Sequence, residues 1–206
     1  MLTGFTASLL LITISELGDK TFFIAVILAM RHPQRLVFSS VMAALALMTV
    51  LSVVLGQALA LFPKIYIHYG AIALFLIFGI KLIYDALRMP AKSNSAVVKE
   101  AEADVEAQES RKILSRYPQF GLWVQAFTMT FLAEWGDRTQ ISTIALAASS
   151  NPITVTMGAI LGHGICTIIA VFSGRLIAGK ISERMITGIG GLLFLIFGVT
   201  AYSQGV

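Results

Sequence analysis

Six apolar stretches, each long enough to cross a lipid bilayer, take up most of this chain of 206 residues. A membrane-spanning helix needs about 20 mainly apolar residues. Only 13% of the residues are charged, whereas soluble domains carry about a quarter. We therefore predict an all-α membrane protein with six transmembrane helices and no room for a soluble catalytic domain. The predicted spans are 4–30, 36–62, 65–87, 120–149, 152–178 and 185–202.

The positive charges in the loops predict the orientation, because lysine and arginine accumulate on the cytoplasmic side of membrane proteins. The opposite side has only Lys64, so we expect both termini to face outward. The net charge of +4 is then explained by helix orientation, and we exclude nucleic acid as a partner. The cationic loops follow the first, third and fifth spans and carry Arg31, Arg35, Arg88, Lys92, Lys99, Arg111, Lys112, Arg116, Lys180 and Arg184.

A segment rich in alanine, serine and charge separates two membrane halves. We interpret 1–88 as a first three-helix repeat, 89–118 as a cytoplasmic charged linker and 119–206 as a second three-helix repeat. The acidic run of the linker could act as a regulatory cation sensor. A solvated tether, partly helical or disordered, is the simpler interpretation, and we assign the linker no site.

A six-residue acidic motif occurs twice, midway along the first and fourth spans. It reads ELGDKT at 16–21 and EWGDRT at 134–139, and LFLIFGI at 74–80 recurs as LFLIFGV at 193–199. Because each half holds an odd number of spans, the halves enter the bilayer from opposite sides. This predicts an inverted repeat, an arrangement in which secondary transporters place their site near the midplane.

Each motif places charge where an unpaired charged residue costs about 2.5–3.5 kcal/mol. On a continuous helix, Glu and Asp three residues apart share one face, so two motifs would present four carboxylates to one volume. Oxygen-rich sites suit Mg²⁺, Ca²⁺ or Mn²⁺ rather than zinc or copper. Gly18 and Gly136 would allow close helix approach or local unwinding. The predicted metal-binding residues are Glu16, Asp19, Thr21, Glu134, Asp137, Thr139 and Gln140.

Lys20 and Arg138 are interpreted as charge-compensating residues. With four carboxylates they leave a formal charge of minus two, which one divalent cation or two protons would balance. Burial and mutual repulsion favour the neutral form of clustered carboxyl groups, so cation and protons would compete for them. A purely structural salt bridge, for example between Glu16 and Lys20, is the alternative, but the duplication of the motif favours a functional site.

Three further residue types in the fifth span have simpler explanations. His163 has no counterpart in the first half, where the repeat offset reaches Leu45. We therefore expect a hydrogen-bonded packing role for His163 rather than that of a ligand or proton relay. Cys166 is the only cysteine, which excludes an internal disulfide. Gly158 and Gly162 form a G-x-x-x-G pair, which predicts close helix packing.

The two motif copies resemble those of the small cation/proton antiporters, a family that includes Golgi manganese and calcium transporters and bacterial manganese exporters. The resemblance covers both three-span halves and the acidic linker. It implies export of Mn²⁺ or Ca²⁺ from the cytoplasm in exchange for protons, and a home in the cytoplasmic membrane of a bacterium, where manganese is the expected cargo. The cation-binding residues that it implies are Glu16, Asp19, Glu134 and Asp137, supported by Thr21 and Thr139.

The resulting prediction is a multi-pass secondary transporter that exports Mn²⁺ by proton antiport and is not an enzyme. Its partners are a divalent metal ion, protons and the lipid bilayer, with no cofactor beyond the transported cation. Calcium is the first alternative, since it also accepts oxygen ligands. An intramembrane metal-dependent hydrolase is a remote one, because such sites usually use histidine ligands and no H-E-x-x-H motif occurs. A non-transporting scaffold is the third.

Overall fold

The computed structural model describes residues 2–89, 95–109, 118–173 and 182–204, and the regular structure in this part of the chain is helical throughout. The all-α prediction is confirmed for these residues. Lys92, Arg111, Lys112, Arg116, Lys180 and the end of the fifth predicted span lie outside them. The helices are α1 (Leu2–Glu16), α2 (Lys20–Arg31), α3 (Gln34–Leu59), α4 (Lys64–Arg88), α5 (Ser95–Glu109), α6 (Pro118–Ala133), α7 (Arg138–Ser149), α8 (Pro152–Ile168, continued by a π-helical turn, Ile169–Ser173) and α9 (Glu183–Gln204).

Four of these helices are long and apolar enough to cross a membrane: α3, α4, α8 with its π-helical continuation, and α9. The first and fourth predicted spans are different. Each consists of two shorter helices, α1 with α2 and α6 with α7, interrupted at the acidic motif. The prediction of one continuous helix through each motif is therefore wrong. The physical reason is a glycine in each motif whose backbone is left-handed, which a regular helix cannot contain.

The two halves of the chain exchange packing partners. The first helix of the first half, α1, packs on α8, and the first helix of the second half, α6, packs on α3. Helices α4 and α9 pack on each other through reciprocal contacts. A Cβ atom at Gly79 would lie 2.6 Å from the side chain of Leu195, and one at Gly198 would lie 2.8 Å from that of Leu76. Such reciprocity between equivalent residues is typical of twofold-related surfaces.

Helices α1 and α8 approach each other closely at two glycines. A Cβ atom at Gly158 would overlap the Ser8 hydroxyl and the Phe5 carbonyl, and one at Gly162 would lie 3.1 Å from Ile12 Cβ. The close packing predicted from the G-x-x-x-G pair is confirmed. The relative position of α1 and α8 is therefore fixed near the end of α1, where the first acidic motif begins.

The charged linker contains a docked helix. Helix α5 packs on α2, and Ala101 and Val105 are fully buried in the same apolar cluster as Phe22 and Phe23 of α2. Val97, Ala101 and Val105 recur every four residues, which gives the helix an apolar face despite its charge. In its described part the linker is thus helical, as the tether interpretation allowed, but it is docked on α2 rather than solvated.

Candidate functional site

The first acidic motif folds as a turn between two half-helices. Glu16 is the last residue of α1, and Gly18 has φ of +78°, which glycine adopts without the steric cost that a Cβ atom brings. The Asp19 N–H donates to the Glu16 carbonyl at 3.2 Å. The Asp19 carboxylate then accepts the N–H of Lys20 at 2.8 Å and caps α2, a position at which aspartate is favoured.

The second motif repeats this turn. Gly136 has φ of +82°, and the Asp137 N–H donates to the Glu134 carbonyl at 3.2 Å. The Asp137 carboxylate accepts the N–H of Thr139 at 3.4 Å and caps α7. The expectation that Glu and Asp share one face of a continuous helix is therefore wrong. Glu16 is the last residue of α1, Glu134 directly follows the last residue of α6, and each Asp caps the next half-helix, which the local unwinding proposed for the glycines makes possible.

The two motif glutamates are buried and are supported by threonines from across the break. Glu16 and Glu134 are 3% and 2% exposed. The Thr21 hydroxyl donates to Glu16 Oε2 at 3.3 Å, and the Thr139 hydroxyl donates to Glu134 Oε2 at 3.1 Å. Each threonine lies in the first turn of the half-helix that follows its glutamate. The threonines thus connect the two sides of each turn.

The two turns meet inside the bundle. Arg138 of the second motif donates from Nη2 to Asp19 Oδ2 of the first at 3.2 Å, and to the Ser15 carbonyl at 3.4 Å. Residues separated by more than 100 positions in sequence therefore share one small volume, as the duplicated motif predicts.

The four carboxylates converge without forming a closed metal cage. Glu16 lies close enough to Glu134, Asp19 and Asp137 to repel each of them electrostatically. In the ranges that the structure describes, however, no three His, Cys, Asp or Glu side chains form a preorganised metal-binding group. Binding a cation at this place would require the two turns to close around it.

The aspartates face a cavity of about 470 Å³, whereas the glutamates lie behind them. The side chains of Asp19 and Arg138 remain 26% and 27% exposed. The cavity lies between the two motif turns, the last turns of α4, the first turns of α9 and the start of α5. Polar groups on its wall include Ser15, Asp19, Lys81, Asp85, Asp137, Arg138 and Thr187.

The two basic residues of the motifs differ in what they contact. Arg138 pairs with Asp19, as expected of a charge-compensating residue. The Lys20 ammonium pairs outside the motifs: its Nζ lies 2.7 Å from Glu100 Oε1 and 2.7 Å from Asp104 Oδ2, both on α5. The prediction that Lys20 compensates the charge of the motif acids is therefore wrong. Lys20 is the first residue of α2 and lies beside the docked linker helix, a segment that we interpret from its sequence as a tether.

Gln140 stabilises the second turn in this structure. Its Oε1 accepts the N–H of Gly136 at 2.7 Å, and its Nε2 donates to Met48 Sδ at 3.0 Å. Both ends of the amide are therefore engaged, and its oxygen is directed at the turn. The first half has Phe22 at the equivalent position, so this support exists on one side of the site.

Sequence reasoning missed the position of His163. Its Nδ1 lies 3.6 Å from Glu16 Oε1, and both atoms are buried and have no hydrogen-bond partner among the residues that the structure describes. The expectation that His163 is hydrogen-bonded is therefore wrong for its Nδ1 atom. The comparison between halves could not find this residue, because Leu45 stands at the equivalent position. The available signal was its place as a histidine inside an apolar span.

Comparison with known proteins identifies related sequences along nearly the whole chain. The family model described as "Divalent cation/proton antiporter GDT1" matches residues 4–90 and 122–206. A GDT1-like protein of Synechocystis sp. is 56% identical over 203 residues, which cover 98% of each chain. GDT1-like protein 3 of Oryza sativa subsp. indica is 45% identical over 95% of this chain and 72% of its own. The chloroplastic PAM71-homolog of Arabidopsis thaliana is 41% identical over 97% and 59%. No solved structure matches the chain.

Proposed function

Because the chain belongs to the GDT1 family of divalent cation/proton antiporters, we propose that it exports Mn²⁺ from the cytoplasm in exchange for protons. The cation binds between the two acidic motifs, near the middle of the membrane. The two halves act as inverted repeats of three spans each, in which α1 with α2 and α6 with α7 form the broken spans. Membership of a transporter family leaves the hydrolase alternative without support.

The observation that carries this proposal is the meeting of two equivalent acidic turns. Arg138 of one turn reaches Asp19 of the other, and the four carboxylates lie close enough to interact. Broken helices that meet inside a bundle are the means by which many transporters build an ion site. The half-helices α2 and α7 also begin at the site, and their capping aspartates line the cavity there.

The proposal of proton exchange is supported by the small number of hydrogen-bond donors around the buried Glu16 and Glu134 carboxyl groups. Each glutamate accepts one threonine hydroxyl within its motif, and a buried bare carboxylate is costly unless it is paired. A divalent cation or bound protons can satisfy the same oxygens, but the two cannot do so together. Because the Lys20 ammonium is engaged by α5, Arg138 is the basic motif residue that remains beside the acids.

The cavity supplies the route by which the cation reaches the aspartates. Loop charges orient the end of α4 and the start of α9 towards the cytoplasm, and these elements form the cavity wall together with α5. The cavity then opens the site to the cytoplasm. Export requires a second conformation, in which the two halves rock so that the same acids face the opposite side.

Everted membrane vesicles with an imposed proton gradient provide the test. We expect addition of Mn²⁺ to release protons from vesicles containing the wild-type protein, because the cation displaces protons from the acids. Glu16→Gln and Glu134→Gln each remove one ligand and should abolish the release. Glu102→Gln makes the same chemical change on the exposed face of α5 and should leave it intact.

Two outcomes would contradict the proposal in different ways. Wild-type activity in both motif variants would indicate a scaffold that does not transport. Proton release on addition of Ca²⁺ but not of Mn²⁺ would assign calcium as the cargo and keep the antiport mechanism.

A further inference from the structure

We propose that His163 is a ligand of the transported cation, paired with Glu16, and that its ring nitrogen selects a first-row transition-metal dication against Ca²⁺. The inference rests on the proposed function and specifies its substrate class. The motif oxygens alone do not make this distinction, because carboxylates suit Ca²⁺ and Mn²⁺ alike. A nitrogen ligand at the site would distinguish the two ions, because Ca²⁺ takes oxygen ligands whereas imidazole binds first-row transition metals.

The first observation is a pair of buried polar atoms that face each other without a partner. His163 Nδ1 and Glu16 Oε1 lie 3.6 Å apart, and within the described parts of the chain neither atom takes part in a hydrogen bond. The side chains are 6% and 4% exposed. This distance is too long for a hydrogen bond, and buried polar atoms are nearly always satisfied. The pair is therefore incomplete without a third group between or beside the two atoms.

The separation of the two atoms suits a shared metal ion. Zinc, a first-row dication, bonds imidazole nitrogen and carboxylate oxygen at about 2.0–2.2 Å. Two ligand atoms of one such ion therefore lie about 3–4 Å apart. His163 Nδ1 and Glu16 Oε1 fall within this interval.

The second observation is that the backbone fixes this pair. His163 follows Gly162, at which α8 approaches α1 closely. A Cβ atom added to Gly162 would lie 3.1 Å from Ile12 Cβ of α1. Glu16 ends α1 one turn after Ile12, which lies against Gly162. The histidine and the glutamate are therefore held by a tight helix pair rather than by flexible loops. A position set this way suits a ligand whose distance must be reproducible.

Ion selectivity of the full-length protein in proteoliposomes provides the first test. We expect the ratio of kcat/KM for Mn²⁺ to that for Ca²⁺ to fall on the order of tenfold in His163→Gln, which corresponds to about 1.4 kcal/mol, while Ca²⁺ transport persists. His68→Gln, the same change in α4 outside the site, should retain the wild-type ratio. A proportional loss of both ions, or an unchanged ratio in His163→Gln, would overturn the inference. A wild-type protein that carries neither ion would instead refute the proposed function.

Pulsed electron paramagnetic resonance of bound Mn²⁺ tests the ligand directly, and its main measurement needs no variant. We expect Mn²⁺ added to the purified wild-type protein to show ¹⁴N modulation, which changes to the ¹⁵N pattern when the histidines are ¹⁵N-labelled. The modulation should persist in His68→Gln and disappear in His163→Gln. Absence of nitrogen coupling in the wild-type protein, or its survival in His163→Gln, would contradict ligation by His163 whether or not the variant folds well.

Discussion

Replacing Gly136 by alanine is expected to weaken the second motif turn through backbone strain alone. Gly136 has φ of +82°, and a Cβ atom built there meets no other atom within 4 Å. The added methyl group therefore collides with no neighbouring atom. The cost arises from the left-handed backbone of residue 136 itself. That conformation costs an L-residue roughly 1–2 kcal/mol. We expect a loss of this size in the free energy of unfolding.

Transport should report the same strain at the site. The turn connects Glu134 to the capping Asp137, so a strained turn holds both carboxylates less firmly. A cost of roughly 1–2 kcal/mol lowers the population of the native turn about 5- to 30-fold relative to its alternatives. The Mn²⁺ concentration for half-maximal proton release in everted vesicles should rise by up to that factor.

Two matched variants separate strain from other effects. Gly136→Asn should be milder than the alanine change, because asparagine enters the left-handed region more readily. Gly70→Ala adds a methyl group to open space in α4 and should stabilise the protein by up to about 1 kcal/mol through helix propensity. Thermal unfolding of the purified protein measures all three. The reasoning fails if Gly136→Ala is as stable as wild type, or if the asparagine variant is the less stable of the two.

Three further perturbations test the packing, the link between the motifs and the linker helix. Gly158→Ala should lower stability by about 1–3 kcal/mol, because its methyl group overlaps α1, whereas Gly164→Ala, which meets only Met42 Cε at 3.8 Å, should retain or raise stability through helix propensity; thermal unfolding decides. A double-mutant cycle of Arg138→Gln and Asp19→Asn should give a coupling energy of roughly 0.5–3 kcal/mol, and additive effects would contradict the contact between the two turns. Val105→Asp places a charge in the buried face of α5 and should accelerate proteolysis and amide exchange there, while unchanged protection would argue against docking.

Much of the architecture was predictable because the sequence repeats itself. The two motif copies and the shared LFLIFG segments indicated the proposed division into halves, and the apolar stretches that contain α3, α4, α8 and α9 were long enough to be recognised. The meeting of Asp19 with Arg138 also follows the prediction that the motifs converge. These features depend on length, composition and self-similarity, which a sequence displays directly.

The broken spans were not predicted because a hydropathy window averages over about 19 residues. The unwinding at Gly18 and Gly136 takes up only a few residues, so it hardly changes the average. The glycine beside an aspartate was the local signal, since the pair ends one helix and caps the next. Close helix approach would use the same glycine, so the residue alone does not decide between packing and unwinding.

The surroundings of the motif were less predictable because they depend on which elements dock nearby. Charge concealed the apolar face of α5, and with it the acids that contact Lys20. The repeat itself misled at His163, where the absence of a counterpart in the first half favoured a packing role. A site built from two similar halves need not be symmetric, and its unmatched residues carry information that the comparison of halves discards.

The contact between Arg138 and Asp19 has a consequence for how this protein is made. The two residues are 119 positions apart, and at about 5–20 residues per second the ribosome needs roughly 6 to 24 s to add the second after the first. Throughout that interval the nascent first half carries Asp19 without the guanidinium group that later contacts it. Until Arg138 has been synthesised, this carboxyl group must be protonated, hydrated or kept away from lipid.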